Sequence, residues 1–436
     1  MSKEPEWFGH PRGLTILFLT EMWDQFSFFG MRALLVYYMT KQLMIGQVHS
    51  SYIYGLYSSF VYFTPLIGGV ITDRYLGRRR AVIIGASIMA LGHFMMAFEP
   101  LFYEALATIA IGNGLFLPSL SSQINELYTP DDPRRANAYN IYYVGINLGA
   151  FLAPFVCGTV GELYGWHWGF GLAGVGMVIG LFTYLAGSKY LPRESKPVPV
   201  PATPATAASL QTYLLLFGVI AIVVLFRGAY EQSGNTFALW ADGGVDRHAG
   251  GFTIPMTWFQ SLNPMMIFLL TPAIVAHWSV RARAGREPGS VRKMAMGAFI
   301  VGASYLLLAG LAHVGGAVSW LWVVVFFFVY TVGELFILPV GLGLFGRLAP
   351  AHLTATAIAA WFMASFFGNL LAGAVGGLWS SMTPPAFFAA VGALGGLSGL
   401  LLLALSTWGH RIERAAETAQ GQAALIAAEL AADSRH

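Results

Sequence analysis

The chain has 436 residues, of which 56% are hydrophobic and 14% aromatic but only 10% charged, with a mean hydropathy of +0.62 and a formal net charge of +3. Soluble domains carry about 25% charged residues, so this composition cannot dress a water-facing surface. It argues against a soluble enzyme, a disordered scaffold and a nucleic-acid binder. One cysteine, Cys157, excludes an intramolecular disulfide and a Cys-rich metal site.

Apolar runs of about 20 residues, enough to span a bilayer as helix, are expected near 14–40, 52–73, 81–98, 103–123, 137–160 and 166–188. Six more follow near 211–241, 252–279, 293–313, 317–346, 353–378 and 385–407. The first run is long and carries charges, so it reads as a span and not as a cleavable leader. Between the sixth and seventh lies LPRESKPVPVPATPATAASL, a proline-rich extended linker over 191–210 that cannot be a span. The division is therefore a six-helix bundle over 1–190, the linker, a second bundle over 211–408, and an Ala- and Glu-rich tail over 409–436. Twenty of the Lys and Arg residues fall on the side of the amino terminus, linker and tail, and two, Lys41 and Arg247, on the other. By the positive-inside rule both termini and the linker are cytoplasmic, with the chain multi-pass in the inner membrane.

Ionisable residues inside spans are functional candidates, because each costs at least about 2.5–3.5 kcal/mol at a helix centre. The first run holds Glu21, Asp24 and Arg32, and positions 21, 24, 25, 28 and 32 share one helical face. The seventh holds Arg227 and Glu231, one turn apart, and the tenth holds Glu334. For each the plain alternative is a buried ion pair that only fixes packing. His93 and His277 read as structural. No Walker loop, G-x-S-x-G elbow or H-E-x-x-H occurs, so neither ATP-driven transport nor hydrolysis is expected, and no cofactor is implied.

Two six-helix halves, with GGVITDRYLGRRR closing the second span, resemble the major facilitator superfamily, in which two bundles rock around a central cavity. The implied fold is an all-α membrane protein with 12 transmembrane helices in two six-helix bundles. TEMWDQFSFFGMRALLVYYM is similar to the helix 1 signature E-x-x-E-R-F-x-Y-Y-G of the proton-dependent oligopeptide transporters. NIYYVGINLGAF, YEQSGNTFALWAD, FQSLNPMMIFLLTP, GELFILPVGL and WFMASFFGN resemble that family's helices 5, 7, 8, 10 and 11, in order.

The resemblance implies a proton-coupled importer of small peptides or amine-bearing peptide-like molecules. Glu21 and Asp24 would handle the proton, Arg32 and Glu231 would form an outer gate, and Glu334 would bind an amine. Tyr62, Asn147, Asn263 and Trp361 match cavity positions. The departures matter as much. Asp24-Gln25 stands where the family has Glu-Arg, Phe28-Phe29 where it has Tyr-Tyr, and Leu117 where helix 4 has Lys. Without those two cations, Glu21 and Asp24 favour proton uptake, and a free carboxylate is disfavoured beside Gln25 and Leu117. Arg227 could swing into the cavity and replace the missing positive charge. Partners are a small-molecule substrate, protons and the bilayer, with the monomer as working unit. Carriage of a non-peptide small molecule, or a non-transporting receptor or scaffold, are the alternatives.

Overall fold

The computed structural model describes residues 6–129, 132, 134–192, 210–349 and 354–433. Six long helices form the first bundle: α1 (Arg12–Tyr37), α2 (Gln47–Ile71), α3 (Arg78–Met95), α4 (Phe102–Glu126), α5 (Arg134–Ala153) and α6 (Trp166–Gly187). The second comprises α7 (Leu210–Tyr230), α8 (Leu262–Arg283), α9 (Ser290–Val314), α10 (Trp320–Leu348), α11 (Thr354–Gly377) and α12 (Pro384–Asp433). Ten of these helical segments are long and apolar enough to cross a membrane; α1 and α3 are the two that fall outside that group. The first carries Arg12, Glu21, Asp24 and Arg32, and the second opens with three arginines and is only 18 residues long. The protein is a multi-pass membrane protein.

Several details differ from the sequence reading. The seventh span is not one helix: it breaks into a 3-10 turn at Glu231–Gly234 and resumes at Thr236–Gly244. The tail, helical in its sequence pattern, continues the helix of the twelfth span without a break to Asp433. Most of the expected linker, 193–209, lies outside the described residues. Short strand pairings, such as Val245–Asp246 with Val318–Ser319, tie the loops at the end away from the linker, here the distal side.

Each bundle has its own core, Leu34, Tyr54, Phe102 and Phe170 in the first and Phe226, Phe237, Phe326 and Phe388 in the second. In lipid there is no hydrophobic force between helices, so close backbone approach must supply the attraction. Gly68 does this within the first bundle: a Cβ there would run into the backbone of Gly114 on α4. Gly55 on α2 does it between bundles, its added Cβ meeting Gly373 Cα at 2.6 Å. The two bundles meet along α2 with α11 and along α5 with α8, which leaves a space between them near mid-membrane.

Gly68→Val should part α2 from α4 and destabilise the first bundle by about 1–3 kcal/mol. Gly171→Ala, with nothing within 4 Å of the added carbon, should leave the melting temperature in detergent unchanged. Equal melting of both variants would refute the glycine contact.

Candidate functional site

The site is strung along α1. Toward the linker side, Glu21 and Asp24 are buried, at 0% and 1% exposure. Gln25, one turn from Glu21, turns its amide back on both: Nε2 donates to Glu21 Oε1 at 3.0 Å and to Asp24 Oδ2 at 3.1 Å. Tyr142 on α5 donates its hydroxyl to Glu21 Oε2 at 2.5 Å. Asp24 Oδ1 has no partner among the described residues. Among the described residues the two carboxyl groups thus have neutral donors only, Gln25 for both and Tyr142 for Glu21, in an interior where unpaired charge is costly. Gln25 is spent on this pair. Tyr142 was not singled out in the sequence; its only signal was the tyrosine pair within NIYYVG.

About 12 Å further along the α1 axis, at 1.5 Å per residue, Arg32 crosses to the second bundle. Its Nη2 meets Glu231 Oε2 at 2.5 Å, and its Nε donates to Tyr54 OH at 2.8 Å. The sequence pairing of Arg32 with Glu231 is thus present, with an addition. Arg227 Nη1 holds the other oxygen, Glu231 Oε1, at 2.9 Å, so one carboxylate is shared by two guanidinium groups. This carboxylate sits at the start of the helix break, Glu231–Gly234. Gly234 lies directly under the Tyr54 hydroxyl and Arg32 Nη2, where a Cβ could not fit. A 3-10 stretch inside a long helix is a common hinge.

Distal to this triad the bundles are laced together. Tyr37 OH donates to Ala238 O at 2.9 Å, and Ser51 Oγ to Asn235 Oδ1 at 3.1 Å. Gln47 Nε2 reaches Gly376 O at 2.8 Å, Thr257 Oγ1 reaches Glu162 Oε1 at 2.6 Å, and Lys41 pairs with Asp242 at 2.7 Å.

Below the triad lies a cavity of about 200 Å³ lined by residues of both bundles. Tyr62, Asn147, Asn263, Glu334, Arg32, Glu231 and Arg227 all face it. Glu334 accepts from Asn263 Nδ2 at 2.5 Å and from the Tyr230 hydroxyl, leaving a carboxylate suited to a cation. The remaining sequence candidates are elsewhere. Phe28 stacks on Tyr57 at 6.5 Å, and Trp361 packs on Phe345 at 5.3 Å in the second bundle's core. Gln25 and Leu117, half-buried on α1 and α4, are not among the lining residues. Tyr230, Tyr330 and Tyr143, which do line it, were not picked out, because one aromatic among so many gives no signal of its own.

The comparisons with known proteins agree with this architecture. The POT family profile matches residues 79–206 and 198–390. A peptide transporter of Yersinia enterocolitica is 32% identical, over 85% of this chain and 88% of its own. A di-/tripeptide transporter of Lactococcus lactis subsp. cremoris is 31% identical, over 92% and 96%. Among solved structures, a peptide transporter POT in complex with sulfate superposes with a TM-score of 0.88 at 30% identity, covering 94% of this chain and 97% of that one.

Glu231→Gln leaves two buried arginines facing each other without an anion. It should cost about 3–5 kcal/mol, read as a lower melting temperature, and Arg227→Gln added to it should recover part of the loss. A simple exchange of charges between Arg32 and Glu231 should not restore transport, because the new arginine would stand beside Arg227. Full rescue by the exchange, or no recovery in the Glu231→Gln/Arg227→Gln pair, would contradict the shared carboxylate.

Proposed function

The chain belongs to the POT family, and from that membership we propose that it imports small peptides, or amine-bearing peptide-like molecules, together with protons by alternating access. The observation that carries the reading is the Glu231 carboxylate, which ties α1 to α7 at the distal roof of a cavity whose opposite wall presents Glu334. A gate and an ammonium site thus face one space. The names of the peptide-transporting relatives support the substrate class, and the buried carboxyl pair on the gating helix supports proton coupling.

The distal side is read as extracellular, because Lys and Arg crowd the linker side. Both termini are then cytoplasmic in the inner membrane. Protons enter through Glu21 and Asp24, which sit on the same helix as Arg32, so their charge state bears on where α1 stands relative to α5 and α7. Glu334 receives the substrate's ammonium, with Asn263 and Tyr230 fixing its orientation. The protein works as a monomer in the bilayer, is a transporter and not an enzyme, and its chemistry needs no cofactor.

Glu21→Gln should abolish uptake driven by an imposed pH gradient in proteoliposomes while leaving counterflow exchange partly intact, since exchange needs no net proton movement. Retained pH-driven accumulation would remove Glu21 from the proton path. For orientation, a reporter fused after Arg435 should be active only inside the cell; external activity would reverse the topology.

A further inference from the structure

The cavity holds one more cation than the gate needs. Arg32 alone satisfies the cross-bundle contact to Glu231, at 2.5 Å. Arg227 adds a second guanidinium, with its side chain only 9% exposed, at a depth where an ionised group is expensive. Its surroundings are built to hold it. The guanidinium carbon lies 5.5 Å from the Tyr62 ring centroid and 5.9 Å from that of Tyr230, a cation–π clamp from both bundles. The stem passes Gly368 on α11, where a Cβ would collide with Arg227 Cβ. Only Nη1 reaches Glu231; Nε and Nη2 have no acceptor among the described residues. The linker-side end of the site offers no substitute, since the Gln25 amide is taken by Glu21 and Asp24 and Leu117 is apolar.

We propose that Arg227 receives the carboxylate of a zwitterionic substrate whose ammonium is held by Glu334, and that the guanidinium is then shared between that carboxylate and Glu231. The geometry suits the two ends of one small molecule. Tyr230 spans the positions, with its ring under Arg227 and its hydroxyl on Glu334. A free Nε–Nη2 edge is the fork that binds a carboxylate through two parallel hydrogen bonds.

Sharing the guanidinium also gives substrate binding a way to act on the gate. Arg227 and Glu231 are one turn apart on the same helix, so their contact survives when the bundles separate, whereas that of Arg32 cannot. When a second carboxylate shares the charge of Arg227, its hold on Glu231 weakens, Glu231 turns more fully to Arg32, and the closed distal side gains stability. A ligand shifts such an equilibrium only by interacting differently with the two states, and this contact supplies the difference.

The inference rests on the peptide-import reading above, and its test separates the two. Counterflow in proteoliposomes would be measured with alanyl-alanine and with its carboxamide, for the wild type, Arg227→Gln and Arg227→Lys. In the wild type the free acid should have a KM at least about tenfold below that of the amide. Arg227→Gln should raise the acid's KM about tenfold or more while leaving the amide's within about twofold, and Arg227→Lys should keep part of the preference. Transport of the amide by Arg227→Gln also shows that the variant is folded. Equal KM values for acid and amide in the wild type, which needs no variant, overturn the Arg227 assignment, as does an Arg227→Gln effect equal on both substrates. Failure of the wild type to move either compound refutes peptide import itself.

Discussion

A single carboxylate, Glu231, carries the constraint on which the rest of the site depends. In a low-dielectric interior two cations cannot remain near each other without an anion between them, so Arg32 and Arg227 both depend on Glu231. The three are spread over α1 and the end of α7, where the helix breaks at Glu231–Gly234. The same break thins the backbone under Tyr54 and Arg32, which is why glycine occupies 234. Above this point the bundles are laced by hydrogen bonds; below it they part around the cavity.

Two charge systems share α1 without sharing partners. The carboxyl pair Glu21 and Asp24 is served by Gln25 and Tyr142, all in the first bundle, while Arg32 is held by Tyr54 of the first and Glu231 of the second. The glutamine is what keeps them separate. An amide can donate to both carboxyl groups but brings no charge to the cavity, so beyond Arg32, which is bound to the gate, the positive charge facing the cavity comes from α7. The effect is a redistribution of charge and not merely a loss of it, with Arg227 buried between two tyrosine rings while Gln25 and Leu117 contribute no cation.

Much of this was legible in the chain itself. The multi-pass helical architecture and the list of intramembrane charges follow from residue type and spacing, since hydrophobic length and ion burial are local costs that each segment meets alone. The Arg32–Glu231 pairing, the Glu334 position and the fold came from the resemblance and agree with the geometry. Sequence spacing could not show that Trp361 turns to Phe345, that Phe28 turns to Tyr57, or that the seventh span breaks.

What the sequence by itself determined was which groups had to be accommodated: twelve apolar lengths, two halves, and six acidic or basic side chains that no lipid would tolerate unpaired. Which group meets which was decided only by the tertiary structure. Arg227 at one turn from Glu231 is equally compatible with a private ion pair, a lipid-side snorkel or a cavity wall. The choice depends on helix rotation, and rotation is set by contacts far apart in the chain. Gly368 on α11 admits the arginine stem, Tyr62 on α2 covers its guanidinium, and Tyr54 on the same helix orients Arg32. Those contacts exist only once both bundles are packed, because no single span can bury a charge without a neighbour to receive it.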